Sequence, residues 1–139
     1  GSEMCIRDRM LGESGLTKLE REMIAVTVSS ENHCFYCLVA HGSAVRELSN
    51  DPQLGERIAA NFRSAELPKK QEELLNFTKK LTKDPSEIGE NDRKKLRDVG
   101  YTDRDIWDIS AIVGLFNMTN RLASATEMEP NNNYHNLAR

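Results

Sequence analysis

The sequence of 139 residues lacks the features that mark membrane proteins, nucleic-acid-binding proteins and disulfide-stabilised secreted proteins. No run of about 18 apolar residues could cross a bilayer, and the first residues lack the apolar segment of a signal peptide. The formal net charge is −3 and the basic residues are scattered among acidic ones, which argues against nucleic acid or an anionic membrane as partner. Three cysteines are too few for a secreted disulfide framework. We therefore expect a soluble, cytoplasmic protein.

Strand-like alternation, internal repeats and low-complexity tracts are also missing. Apolar residues instead recur at helical spacing, and capping or breaking residues divide them into six segments. The predicted helices cover about residues 17–31, 34–49, 52–62, 68–83, 90–99 and 102–126. The sequence thus predicts an all-α fold, a compact bundle of about six helices.

The first nine residues stand apart from this pattern because they have no helical period. Gly1 and Ser2 resemble the scar of a cleaved purification tag, and residues 4–9 resemble translated adapter sequence. We expect residues 1–9 to be a foreign segment and residues 10–139 to form a single domain.

The last predicted helix is apolar on more than one stripe, and Trp107 is among its apolar residues. Such a helix is expected to be buried on several sides, in the bundle core or in a subunit interface. Asn117 and Asn120 follow Gly114 in this helix, which indicates close helix packing with polar contacts.

Two cysteines form the most informative group in the chain. Cys34 and Cys37 are three residues apart, His41 follows Cys37 by four, and Glu22 precedes Cys34 by twelve. Residues three, four and seven apart share one face of a helix, so one helix can present both thiols and the imidazole together. Asn32 is a plausible N-cap that would place the pair in the first helical turn, where the helix dipole favours a thiolate.

The spacing of Glu22, Cys34, Cys37 and His41, together with the sequence of residues 16–26 and 34–42, resembles the alkylhydroperoxidase D-like group of the carboxymuconolactone decarboxylase superfamily. The resemblance is to the peroxidase-related branch of that group. The resemblance covers most of residues 14–135. It implies an all-helical subunit of a homo-oligomer, a dimer, trimer or hexamer, that uses Cys34 and Cys37 as a redox couple without a bound cofactor. The substrate would be a hydroperoxide, and a thioredoxin-like or lipoyl-bearing protein would supply electrons.

The resemblance implies catalytic roles for Cys34, Cys37, His41 and Glu22. A thiolate would attack the peroxide, and the second thiol would close a disulfide. His41 would take the proton from Cys37, and Glu22 would orient the imidazole directly or through water. These implied roles favour Cys37 as the attacker, whereas proximity to the helix start favours Cys34.

One position departs from the family pattern. The best-known alkylhydroperoxidase D proteins carry a second histidine inside the Cys-x-x-Cys group, where this chain has Tyr36. Peroxidase activity is therefore less firmly implied than dithiol chemistry. His33, just outside the pair, is a candidate substitute.

Other interpretations of the four residues remain open. The cysteines could be structural core residues, or the protein could exchange disulfides without peroxidase activity. Cys34, Cys37 and His41 could instead bind zinc or another soft metal, with Glu22 or water as fourth ligand. Decarboxylase or isomerase chemistry on a lactone is a further alternative, although the family branches with that chemistry generally lack the cysteine pair.

Overall fold

The structure, a computed structural model, describes residues 14–139, which form helices and connecting turns. Seven α-helices follow one another in this part of the chain: α1 (Lys18–Glu31), α2 (Phe35–Ser49), α3 (Leu54–Asn61), α4 (Lys69–Lys83), α5 (Glu90–Asp98), α6 (Asp103–Ala125) and α7 (Asn132–Asn136). Two short 3-10 helices, Phe62–Ser64 and Pro85–Glu87, complete the set. None of the described residues lies in a strand, so the predicted all-α fold is confirmed. The predicted foreign segment, residues 1–9, lies outside the described residues.

Local capping chemistry sets the ends of the two helices that matter most for the core. Thr17 and Thr102 each accept a hydrogen bond from the third helical residue, and the acidic side chain at that residue bonds back to the cap, as the sequence predicts. Pro68, predicted as the first residue of α4, is instead its N-cap, and the helix begins at Lys69. The predicted start of α3 at Pro52 is wrong, because Gln53 is the N-cap and the helix begins at Leu54.

The central helix is α1, which packs against α2, α3, α4 and α6. Every residue from Met23 to Ser29 is buried, so α1 is enclosed on nearly all sides. Fully burying a large aliphatic side chain stabilises the fold by about 1.5–3 kcal/mol. The fully buried large side chains from the other helices include Val45, Ile58, Leu74, Leu75, Leu96, Ile109, Ile112 and Val113.

Close contacts hold α2 against its neighbours. A Cβ atom added at Gly55 of α3 would lie 2.9 Å from the carbonyl oxygen of Gly42, so α3 approaches the α2 backbone where a side chain would collide. The guanidinium of Arg46 is buried and donates to two carbonyl oxygens of the C-terminal segment, those of Leu137 at 3.0 Å and Tyr134 at 2.7 Å. The helix that carries the cysteines is thereby fixed from both sides.

One face of α6 departs from the prediction of burial on several sides. Trp107 is 66% exposed, Leu122 is 57% exposed and Met118 is 48% exposed, while the opposite face packs into the core. Within the subunit, Trp107 is therefore not a packing residue. The expected subunit interface stays a prediction.

No helix in residues 14–139 is long and apolar enough to cross a membrane.

Candidate active site

The connection between α1 and α2 determines where Cys34 lies. His33 adopts a left-handed conformation with φ of 53°, its N–H donates to the Ser30 carbonyl, and the Cys34 N–H donates to the Ser29 carbonyl. These two bonds form a Schellman motif that ends α1. Asn32 is therefore the C-cap of α1 and not the predicted N-cap of α2, whose N-cap is Cys34 itself. The exposed His33 side chain lies in this turn.

The two thiols are free, buried and in contact with each other. Cys34 is 2% exposed and Cys37 is 3% exposed, and the two side chains belong to one packed cluster. Ala123 of α6 packs against the pair, and the partly buried Tyr36 covers it. Cys34 is the N-cap of α2 and Cys37 lies in its first turn, and both contact Ala123 of α6.

A polar network surrounds the pair on the side of α6. Asn120 Nδ2 donates to Ser29 Oγ at 3.1 Å. Asn32 Nδ2 donates to the amide oxygens of Asn117, at 2.9 Å, and Asn120, at 3.0 Å. Sequence reasoning placed the α6 asparagines in polar packing contacts and gave Ser29 no role. The available signal was an asparagine on an otherwise apolar helix, which must find hydrogen-bond partners when buried.

Glu22 and His41 meet one helical turn beyond the pair. His41 Nδ1 lies 2.6 Å from Glu22 Oε2, which joins α2 to α1, and both side chains are partly buried. The imidazole also packs edge-on against the ring of Phe116, with 4.6 Å between ring centroids. The structure thus brings the four candidate residues to one region in two contacting pairs, Cys34 with Cys37 and Glu22 with His41.

Opposing effects act on the pKa of the Cys37 thiol. Burial raises its pKa above the ordinary value, and the hydrogen bond and charge of Cys34 raise it further, while the hydrogen bonds of Asn120 and Ser29 lower it. The expectation that the helix start favours a thiolate stays a prediction, and burial acts against it at Cys37. A group that removes the Cys37 proton would therefore assist oxidation.

The alternative of a metal site finds no support in the described geometry. Among residues 14–139, no group of three or more histidine, cysteine, aspartate or glutamate side chains is arranged to hold a metal ion. Glu22 occupies one imidazole nitrogen of His41, and the sulfur atoms contact each other and α6.

Comparison with known proteins finds a matching family and similar structures. The model of the carboxymuconolactone decarboxylase family matches residues 5–83. A peroxidase-related protein from Silicibacter sp. TM1040 has a crystal structure that matches with a TM-score of 0.97 and 59% identity, covering 99% of this chain and 72% of that chain. The alkylhydroperoxidase AhpD core of a peroxidase-related protein from Ralstonia eutropha JMP134 matches with a TM-score of 0.96 and 40% identity, covering 99% and 73%.

A more distant structure shows the fold alone. A protein of Agrobacterium tumefaciens named for AhpD matches with a TM-score of 0.81 at 21% identity, covering 94% of this chain and 88% of that chain. No curated protein matches the chain significantly.

Proposed function

The chain belongs to the carboxymuconolactone decarboxylase family and has the alkylhydroperoxidase D-like fold, and we propose that it is an antioxidant dithiol oxidoreductase that reduces organic hydroperoxides. The observation that carries this proposal is the packing of two free, buried thiols against each other at the start of α2, with the Glu22–His41 pair one turn beyond Cys37. Structural cysteines alone would not require the imidazole and carboxylate at that place.

In the proposed reaction, the Cys37 thiolate attacks one oxygen of the peroxide O–O bond. An S–O bond forms, the O–O bond breaks, and the departing alkoxide takes a proton and leaves as the alcohol. The Cys34 thiol then loses its proton and attacks the sulfenic sulfur, which forms the Cys34–Cys37 disulfide and releases water. The protein loses two electrons in all, and the peroxide gains them.

The Glu22–His41 pair supplies the base that this scheme needs. A carboxylate that accepts a hydrogen bond from Nδ1–H of neutral His41 leaves the imidazole lone pair on Nε2. His41 lies one turn after Cys37 on α2, so Nε2 can take the thiol proton directly or through one water molecule. Because burial raises the pKa of Cys37, this transfer precedes attack in the proposed scheme.

The oxidised protein must then be reduced by an external dithiol. A thioredoxin-like or lipoyl-bearing protein has the required two-electron chemistry, since its thiolate can attack the Cys34–Cys37 disulfide. The buried position of both sulfur atoms means that the first turn of α2 must open, or Tyr36 must move, before this attack. Assembly into a homo-oligomer and a cytoplasmic location are part of the same proposal.

Disulfide exchange without peroxidase activity is the second candidate, and Tyr36 favours it because a tyrosine replaces the histidine of the best-known family members. The two functions separate in one assay that supplies dihydrolipoamide as reductant and measures hydroperoxide consumption. Catalytic consumption that stops in both Cys34→Ser and Cys37→Ser supports the peroxidase. Rapid exchange with a disulfide substrate and no hydroperoxide consumption would replace it with the second candidate.

A further inference from the structure

A cavity lies beside α2, and neither cysteine of the proposed redox pair lines it. It is bounded by α2, α3 and the C-terminal segment, residues 132–139, and its volume is about 210 Å³. At the packing density of protein interiors, such a volume holds roughly ten non-hydrogen atoms. The lining is mainly apolar and includes Phe35, Leu38, Val39, Gly42, Gly55 and Ala59.

Gly42 keeps part of this space open. The residue is buried, yet a Cβ atom added to it would meet no side chain and no neighbouring helix within 4 Å. On another side of the same residue, the Gly42 carbonyl lies so close to Gly55 that α2 and α3 are in tight contact. The cavity is therefore a defined hole beside closely packed helices, and such holes are few in a folded domain.

One buried charge lies in the wall of the cavity. Arg46 is 4% exposed, and its Nε and Nη2 donate to the carbonyl oxygens of Leu137 and Tyr134. A guanidinium has five N–H donors, so three of them have no acceptor among residues 14–139. Nη1 is one of the groups without an acceptor, and it is not sealed away from open space. It is thus available to an acceptor that enters the cavity.

The charges of the lining side chains do not balance. Arg46 forms no ion pair with a carboxylate of the described residues. The lining has one further guanidinium, that of Arg139, and one carboxylate, that of Glu56, and these two pair with each other at 2.8 Å. With His135 neutral, one positive charge is left over. Because a buried cation is costly unless an anion pairs with it, a ligand with one negative charge complements this wall.

We propose that this cavity binds an amphipathic carboxylate of about eight carbons, a medium-chain fatty acid, with its carboxylate on Arg46 and its chain along Gly42 and Val39. A guanidinium matches the geometry of a carboxylate with parallel N–H bonds. The apolar walls favour removal of the hydrocarbon chain from water. The site goes beyond the proposed function and does not depend on it.

The test is isothermal titration calorimetry of the whole chain with sodium octanoate. 1-Octanol has the same chain without the charge, and acetate has the charge without the chain. Gly42→Leu fills the open space, and Arg46→Gln removes the charge but keeps N–H donors. Gly114→Leu is the matched control, because Gly114 is an exposed glycine of α6 that does not line the cavity. Circular dichroism checks the fold of each variant.

We expect one octanoate to bind per chain, and 1-octanol and acetate to bind at least about ten-fold more weakly, because each lacks half of the recognised chemistry. Arg46→Gln should weaken octanoate binding by about ten-fold or more, as expected for the loss of a charge-assisted hydrogen bond. Gly42→Leu should abolish binding, and Gly114→Leu should leave it unchanged.

Three results would overturn the proposal: no saturable binding of octanoate, equal affinity for 1-octanol, or unchanged affinity in Gly42→Leu or Arg46→Gln. An equal loss of affinity in Gly114→Leu would overturn it as well. The comparison of octanoate with 1-octanol uses the unaltered protein, so it decides the matter if a variant does not fold. Since the readout is binding, failure of the peroxidase assay leaves this result unaffected.

Discussion

The imidazole of His41 and the carboxylate of Glu22 meet across the contact of α2 with α1, with 2.6 Å between Nδ1 and Oε2. The contact fixes the ring and joins the helix that carries both thiols to the central helix of the fold. It also gives the carboxylate a defined part in the proposed chemistry, which is to hold the tautomer whose Nε2 accepts a proton.

Removal of this base should slow thiol oxidation most near neutral pH. We expect His41→Ala to reduce the rate of oxidation by an organic hydroperoxide about 100-fold at pH 7, since general base catalysis contributes about that much. The deficit should shrink as pH rises, because hydroxide then removes the thiol proton without help. Glu22→Gln should show a smaller loss. Stopped-flow oxidation rates across pH measure both effects.

His33→Asn is the control for that experiment, because His33 is exposed and asparagine tolerates its left-handed conformation. Its rate should equal that of the unaltered protein. A pH-independent deficit in His41→Ala, or an equal deficit in His33→Asn, would remove the assigned role of His41.

The two cysteines should give different products when each is left alone with peroxide. We expect Cys34→Ser to stop at a sulfenic acid on Cys37, which dimedone traps and peptide mass spectrometry locates. Cys37→Ser should react much more slowly, because the Cys34 side chain makes no capping hydrogen bond at the start of α2 and lies two turns from His41 instead of one. A sulfenic acid formed readily on Cys34 in Cys37→Ser would reverse the assignment of attacker and resolver.

Alkaline pH should destabilise the reduced protein through Cys37. Its pKa is raised in the folded protein above the ordinary value of 9.0, so the unfolded chain loses this proton first as pH rises. The contribution of Cys37 to the free energy of unfolding is complete below pH 9 and declines above it, at most by about 1.4 kcal/mol per pH unit for one group. Urea unfolding at pH 8 and pH 10 measures the loss.

Cys37→Ser is the reference for that loss, because Tyr101 also has a raised pKa, from burial and its hydrogen bond with Glu20, and adds to the same trend. The difference between the two proteins isolates Cys37. An identical change in unfolding free energy for both proteins would show that Cys37 ionises equally easily in the folded and unfolded states.

Tyr36 should limit the peroxidase rate. It is partly buried against the cysteine pair, at the position where the best-known family members carry a histidine. We expect Tyr36→His to speed oxidation about ten-fold or more by adding a second proton-transfer group. Tyr36→Phe keeps the ring without that group and should not gain rate. Equal rates in all three proteins would mean that this position has no part in proton transfer.

Local sequence signals predicted most of the helices. The capping boxes at Thr17 and Thr102 act within a few residues, so the sequence alone locates these helix starts. The start of α2 was harder, because Asn32 fits both an N-cap and the end of α1. The left-handed His33 decided between them, and the Schellman motif made Cys34 the N-cap.

The site was less predictable where tertiary packing determines it. Ser29 and Asn120 are 91 residues apart, and only the packing of α6 on α1 brings their side chains into hydrogen-bond contact. Burial of Cys37 raises its pKa, which acts against the effect expected of the helix start. The exposure of Trp107 and Leu122 could not be predicted from helical periodicity either, because the spacing of apolar residues does not show which of them face the core and which face solvent.

The most direct test of the account is the product of a single oxidation. The fully reduced protein, with Cys5 replaced by serine, is mixed with one equivalent of an organic hydroperoxide, quenched with an alkylating reagent at set times and weighed by mass spectrometry. We predict a Cys34–Cys37 disulfide that forms much faster than the oxidation of a free cysteine and stops at one per chain. Oxidation no faster than that of the free thiol would contradict the proposed peroxidase.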